Sequence, residues 1–239
     1  MNVPAPLLVG FHRAAMYRLC SVALAYPEPG RLTEVARFGA GAVAGADMAL
    51  RPLIEAVIDR ARWTDEASAA SEYVRLFDGA APCAPYEGAY GPPQMAGKVA
   101  LLADLAGFYA AFGLEVADGQ PDVHDHIATE LEFLSALAIK EAWALAEHHH
   151  EHAELTRDAT VLFLGDHLAR WAPAFADALA GATDLDYYRA VARLIRAWVE
   201  ADSTGCGVSV ATLAAATPRA DADDGFTCPM AEEADAETA

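Results

Sequence analysis

The sequence predicts an all-α fold, a single globular bundle of about eight to ten helices with a long Gly/Pro-rich loop and an acidic C-terminal tail expected to be disordered. Three observations carry that prediction. Apolar residues recur every three or four positions along most of the 239 residues, the spacing that lays them on one face of an α-helix. No stretch alternates apolar and polar residues between turn dipeptides, as a half-buried strand would. Even with its 56 alanines set aside, the chain keeps enough larger apolar residues for a substantial core.

Taken in order, Phe11, Ala15, Leu19, Val22 and Tyr26 form the first stripe, and Pro27 with Pro29 closes it. A second helix is predicted over Arg31–Gly45, weakened by Gly39, Gly41 and Gly45. A third, over Asp47–Arg62, carries Leu50, Ile54, Val57 and Ile58. Thr64 is placed to cap a fourth, whose first turn holds Asp65 and Glu66 and which runs to about Asp78. Residues 79–97 then contain four glycines and four prolines in nineteen positions, with Cys83, Tyr86 and Tyr90 among them. A loop of that length inside a compact domain is usually functional or disordered. Leu101, Leu105, Phe108 and Phe112 resume the helical pattern as far as Gly113, which sits where a left-handed cap is expected. Ile127, Leu131, Leu134, Ala138 and Leu145 mark a helix entered after Pro121. Val161, Leu164, Leu168 and Trp171 mark another, kinked or divided by Pro173. Leu185, Tyr188, Ala192, Ile195 and Val199 mark the last, ending before Ser203. The pattern divides the chain into a helical domain, 1–217, and a tail, 218–239, with seven acidic residues against Arg219 alone.

Composition excludes several function classes. Sixteen Lys and Arg against 35 Asp and Glu give a formal charge of −19, and without a basic cluster nucleic acid would find no phosphate track. No apolar run reaches the ~18–20 residues of a membrane span, and no basic region precedes the short apolar patch at the N-terminus. The expected location is therefore the cytoplasm. Cys20, Cys83, Cys206 and Cys228 are scattered without a CxxC pair, which reads as reduced thiols. Phosphate-binding glycine loops and a GxSxG nucleophile turn are missing, and no nucleophile has an evident base. The expectation is a protein that is not an enzyme and carries no cofactor.

Three constellations stand out. Glu72 to Gly79, with Tyr73, Leu76 and Phe77, runs into Pro85-Tyr86-Glu87-Gly88-Ala89-Tyr90. A helix end that delivers apolar side chains beside an aromatic, acid-bearing loop makes a groove for a peptide; the alternative is that Leu76 and Phe77 are core and the tyrosines pin the loop. In Pro121 to Leu134, Asp122 or Asp125 is placed to cap a helix on which His126 and Glu130 share a face; a capped helix with a surface ion pair is the alternative. Glu147 to His152 offers His148 and His152 at i, i+4 and His149 and His152 at i, i+3, a spacing that bridges a metal on a helix face. Joined by His124 or His126, these histidines would make a metal-binding helical protein or a metal-dependent enzyme; otherwise they are a solvated helix end.

In order and spacing, the stretch from Arg13 to Pro29, Tyr73-x-x-Leu76-Phe77-x-Gly79, Pro85-Tyr86-Glu87-Gly88 and Asp125-His126-Ile127-x-x-Glu130-Leu131-Glu132-Phe133-Leu134 resembles the TorD/DmsD/NarJ family of molybdoenzyme maturation chaperones. The resemblance covers about residues 11–200. It implies an all-helical cytoplasmic chaperone that binds the twin-arginine signal peptide, or the folding intermediate, of a molybdopterin-containing subunit until its cofactor is inserted. It allows a homodimer. By position, Tyr73 takes the place of a family aromatic, usually Trp, and Asp125-His126 that of the family's Asp-His pair. Pro121 lies further from that pair than is usual, and the loop reads Pro-Tyr-Glu-Gly rather than Pro-Tyr-Glu-Ser, a wording more similar to chaperones of nitrate-reductase-like dehydrogenases and oxyanion reductases. Tyr73, Leu76, Phe77, Pro85, Tyr86, Glu87, Asp125, His126 and Glu130 are the client-binding residues it implies, with Asp125, Glu87 and Glu130 as acceptors for the two arginines.

Overall fold

The structure, a computed structural model, describes residues 5–78, 82–91, 97–116 and 124–210. The tail 218–239, Cys228 and the Gly79 and Pro121-Asp122 parts of the motifs lie outside them. Among the described residues there are nine α-helices and no strand: α1 (Ala5–Ala23), α2 (Arg31–Val43), α3 (Arg51–Trp63), α4 (Glu66–Phe77), α5 (Gly97–Ala111), α6 (Ile127–Ala146), α7 (His150–Phe163), α8 (Ala169–Ala182) and α9 (Asp186–Gly205). A π-helical turn, Leu164–Leu168, joins α7 to α8, and a 3₁₀ turn, Glu87–Ala89, interrupts the long loop. No helix among them is long and apolar enough to cross a membrane.

The helices pack in a chain of neighbours, α6 on α1, α1 on α2, α2 on α3, α3 on α9 and α9 on α8. Glycine in α2 serves packing rather than weakening the helix: a Cβ on Gly39 would stand 2.5 Å from Ile58 Cγ1, so only glycine lets α2 and α3 approach this closely. Gly113 adopts φ +67° and ends α5 as its position predicts. Trp171, Tyr17, Tyr187, Tyr188, Phe163 and Phe175 are the largest fully buried side chains. They come from α1, α7, α8 and α9, which places the core between the two ends of the chain.

Three local expectations are corrected. The cap of α4 is Asp65, whose carboxylate accepts from Ser68 N at 2.9 Å, not Thr64. The cap of α6 is His126, not Asp122 or Asp125: its ring Nδ1 accepts from Ala128 N at 3.1 Å. The irregularity near Pro173 lies upstream of it, in the π turn. Proline's ring clashes with the carbonyl four residues back, here Ala169, the first residue of α8.

Candidate functional site

Where α4 ends, the described part of the loop, 82–91, crosses the start of α6 and is stapled to it. Ile127 N donates to Pro85 O at 2.9 Å and Glu87 N to Asp125 O at 2.8 Å, forming an isolated antiparallel bridge between Tyr86 and His126. The two rings meet edge to face with centroids 5.3 Å apart. Asp125 Oδ2 accepts from Gly88 N at 3.2 Å, so this carboxylate serves the loop instead of capping the helix. Cys83 N donates to Leu76 O, Tyr90 O–H donates to Ala84 O at 3.0 Å, and the Tyr90 ring lies 5.1 Å from that of Trp171.

Beneath this strap lie the acids. Glu87 is 6% exposed, Asp125 1% and Glu130 0%, so Glu130 forms no surface ion pair with His126. Glu87 Oε2 is hydrogen-bonded to His167 Nδ1 at 3.0 Å. His167 Nε2 faces Asp104 Oδ2 at 3.3 Å, within ion-pair reach but off the direction of a hydrogen bond. Glu130 Oε2 accepts from Trp171 Nε1 at 3.2 Å. Burial pushes the Glu130 carboxyl well above the usual carboxylate range, and Glu87 and Asp125 add to that push while the Trp171 N–H opposes it. Burial and its acidic neighbours thus favour its neutral form. Burial likewise drives His126 down to about 4, and the resulting neutral imidazole leaves Nδ1 free to accept from the backbone.

The Glu130 assignment sets a pH dependence. A carboxyl neutral in the fold but ionised in the unfolded chain above about 4.5 contributes stability at low pH and loses it as pH rises toward its folded value. Glu130→Gln keeps an acceptor for Trp171 and removes the ionisation. Its urea midpoint should match the parent near pH 4.5 and exceed it at pH 8; equal destabilisation at both pH values would mean that Glu130 is charged in the fold.

On the outer side, Tyr73 is half-buried and meets Tyr26 and Phe77 edge to face at 5.3 and 4.8 Å. Burial, with nearby Tyr86 and Asp78 adding, raises its hydroxyl to about 12. Leu76 and Phe77 are buried, as is Pro85, so these three support the site from behind. The structure thus sorts the implied residues into two layers: Tyr73 and Tyr86 outside, with His126 at the seam, and Glu87, Asp125 and Glu130 inside. His167 and Trp171 complete the inner layer, with exposed Asp104 at its edge, and all three were missed. The signal available was the stripe of α8 and the turn before it, where His167 and Trp171 sit one turn apart as hydrogen-bonding rings among apolar residues; buried carboxylates need such donors.

The histidine run does not form a helix face. His148 has φ +60° and His149 caps α7, so both lie in the turn after α6, while His152 lies on α7. Among the described residues, no three His, Cys, Asp or Glu are placed to hold a metal ion.

Comparison with known proteins adds to this geometry. The family model described as nitrate reductase delta subunit matches residues 41–177. The chlorate reductase assembly chaperone of Ideonella dechloratans is 35% identical over 120 residues, and the selenate reductase assembly chaperone of Thauera selenatis 36% over 120. Each match covers 49% of this chain and 60% of the relative, so the chain spans under two thirds of their length. The chaperone protein TorD of Vibrio parahaemolyticus is 28% identical over 182 residues, 71% of this chain and 80% of the relative. A crystal structure described as a redox enzyme maturation protein from Archaeoglobus fulgidus superposes with a TM-score of 0.50 at 21% identity, covering 78% of this chain and 93% of that one, which speaks to the fold alone.

Proposed function

Since the chain belongs to the nitrate reductase delta subunit family, that of the TorD and NarJ chaperones, we propose that it is an assembly chaperone for a molybdopterin-containing oxidoreductase subunit and holds that subunit's twin-arginine leader in the cytoplasm until the cofactor is in place. Its work is binding, not catalysis. The observation that carries this reading is the strap over the acids: an aromatic outer layer for an apolar segment, backed by three carboxylates that the strap's Tyr86-bearing turn covers. The apolar part of the leader lies on Tyr73 and Tyr86. Asp125 beneath the strap and Glu87 within it accept the arginines, and because both are buried the strap shifts to admit them.

Calorimetric titration of a synthetic leader into the full-length protein tests this. Tyr86→Ala and Asp125→Asn should each lower affinity severalfold or more, Arg-to-Lys exchange in the leader should weaken it through loss of bidentate geometry, and added salt should weaken it further. Binding unchanged by all four would refute the assignment.

A further inference from the structure

A second surface lies on the other side of Phe108. Between α5 and α7 runs an open groove of about 560 Å³ whose floor includes Phe108, Phe112, Leu155 and Leu162. Leu155 is 63% and Leu162 55% exposed, although they sit seven residues apart on one face of α7, a spacing of about 10 Å. Two large aliphatic side chains in water along one stripe mark an interaction surface more than a packing accident. Glu151, Glu154 and Asp158 line the same groove, and its lining has no cation. The Arg157 side chain on α7 turns away to donate to Glu141 at 2.9 Å.

We propose that this groove docks an amphipathic helix of the client subunit, with an apolar stripe on the floor and Lys or Arg along the flank against α7. The proposal rests on the reading that a reductase subunit is the client. Charge complementarity selects this occupant. The chain's own residues 211–239 carry seven carboxylates against Arg219, and a second copy brings another −19, so both are repelled. A leader presents two adjacent arginines ahead of an uncharged apolar run, whereas the carboxylates here are spread over two turns of α7, from residue 151 to 158. A helix with cations at i, i+3 or i+4 and i+7 matches them.

The test uses the full-length protein and a fluorescein-labelled 18-residue peptide of Leu and Lys, spaced for an amphipathic helix, read by fluorescence anisotropy beside its Leu/Glu counterpart. The Lys peptide should bind and the Glu peptide should not. Leu155→Ser with Leu162→Ser should lower affinity at least tenfold. Glu151→Gln, Glu154→Gln and Asp158→Asn together should lower it comparably, while Glu28→Gln, Glu55→Gln and Asp59→Asn, three exposed acids elsewhere, should leave it within twofold. The proposal is overturned if the Lys peptide does not bind, if the distant triple variant loses as much, if the leucine variant binds like the parent, or if a synthetic leader displaces the peptide. Leader affinity unchanged in the leucine variant keeps a failure here separate from a failure of the proposed function.

Discussion

Arg13→Ala should destabilise the fold by about 3–5 kcal/mol, the cost of removing one partner from a buried ion pair. Arg13 donates through Nε to Asp202 Oδ1 and through Nη2 to Asp202 Oδ2, both at 2.8 Å, and through Nη1 to Glu141 Oε2 at 3.3 Å. Tyr17 O–H donates to the same Asp202 Oδ2 at 2.6 Å, and Arg157 holds the other oxygen of Glu141 at 2.7 Å. One guanidinium thus ties α1 to α6 and α9, and its loss leaves buried Asp202 to the Tyr17 hydroxyl and buried Glu141 to Arg157. Arg18→Ala provides the contrast, because its ion pair with Glu132 is largely exposed and such pairs contribute under about 1 kcal/mol. Urea unfolding of both variants measures the difference; similar small losses would show that the Arg13 network is no stronger than a surface pair.

Leu76→Ala should cost about 2–5 kcal/mol, the range for truncating a buried leucine. Leu76 is 0% exposed, and its carbonyl accepts from Cys83 N, so the truncation opens a cavity under the start of the strap. Leader affinity, measured at a temperature where the variant is still folded, should stay within about twofold. Thermal unfolding and titration together separate the two effects. A folded variant with full stability and lost affinity would place Leu76 on the binding surface instead.

Those two residues also mark how far the sequence could be read. Helical spacing made the fold class and most of the helices legible, because burial of an apolar stripe imposes its period on the sequence. The loop was legible as special through its glycines, prolines and tyrosines, and its partner segment through Asp125-His126. Depth was not legible. Leu76 and Tyr73 stand three positions apart near one helix end, yet one is core and the other half-exposed, and only what the tertiary fold lays over each decides which. The acids looked like surface groups for the same reason, since sequence gives charge but not cover. Cap identity failed where several cap-capable residues adjoin: Asp65 follows Thr64, and a neutral histidine took the place expected of an aspartate. Arg13 stood in the first helix with nothing nearby in sequence to show its partner, because Asp202 lies 189 positions away.

The π turn between α7 and α8 takes up a surplus residue. It holds one residue more than an α-helical turn would, and each residue is worth about 100° of rotation. The helical backbone is continuous through it, with Leu155 and Leu162 exposed before it and Trp171 and Phe175 buried after it. His167 rides on the extra turn and is carried inward to Glu87. A wider turn takes up a surplus residue locally, so deleting one residue from 164–168 would close it to an ordinary α-helical turn and remove the bulge that carries His167. The surplus residue is thus spent on the site, where one irregular turn sets an imidazole against a buried carboxylate.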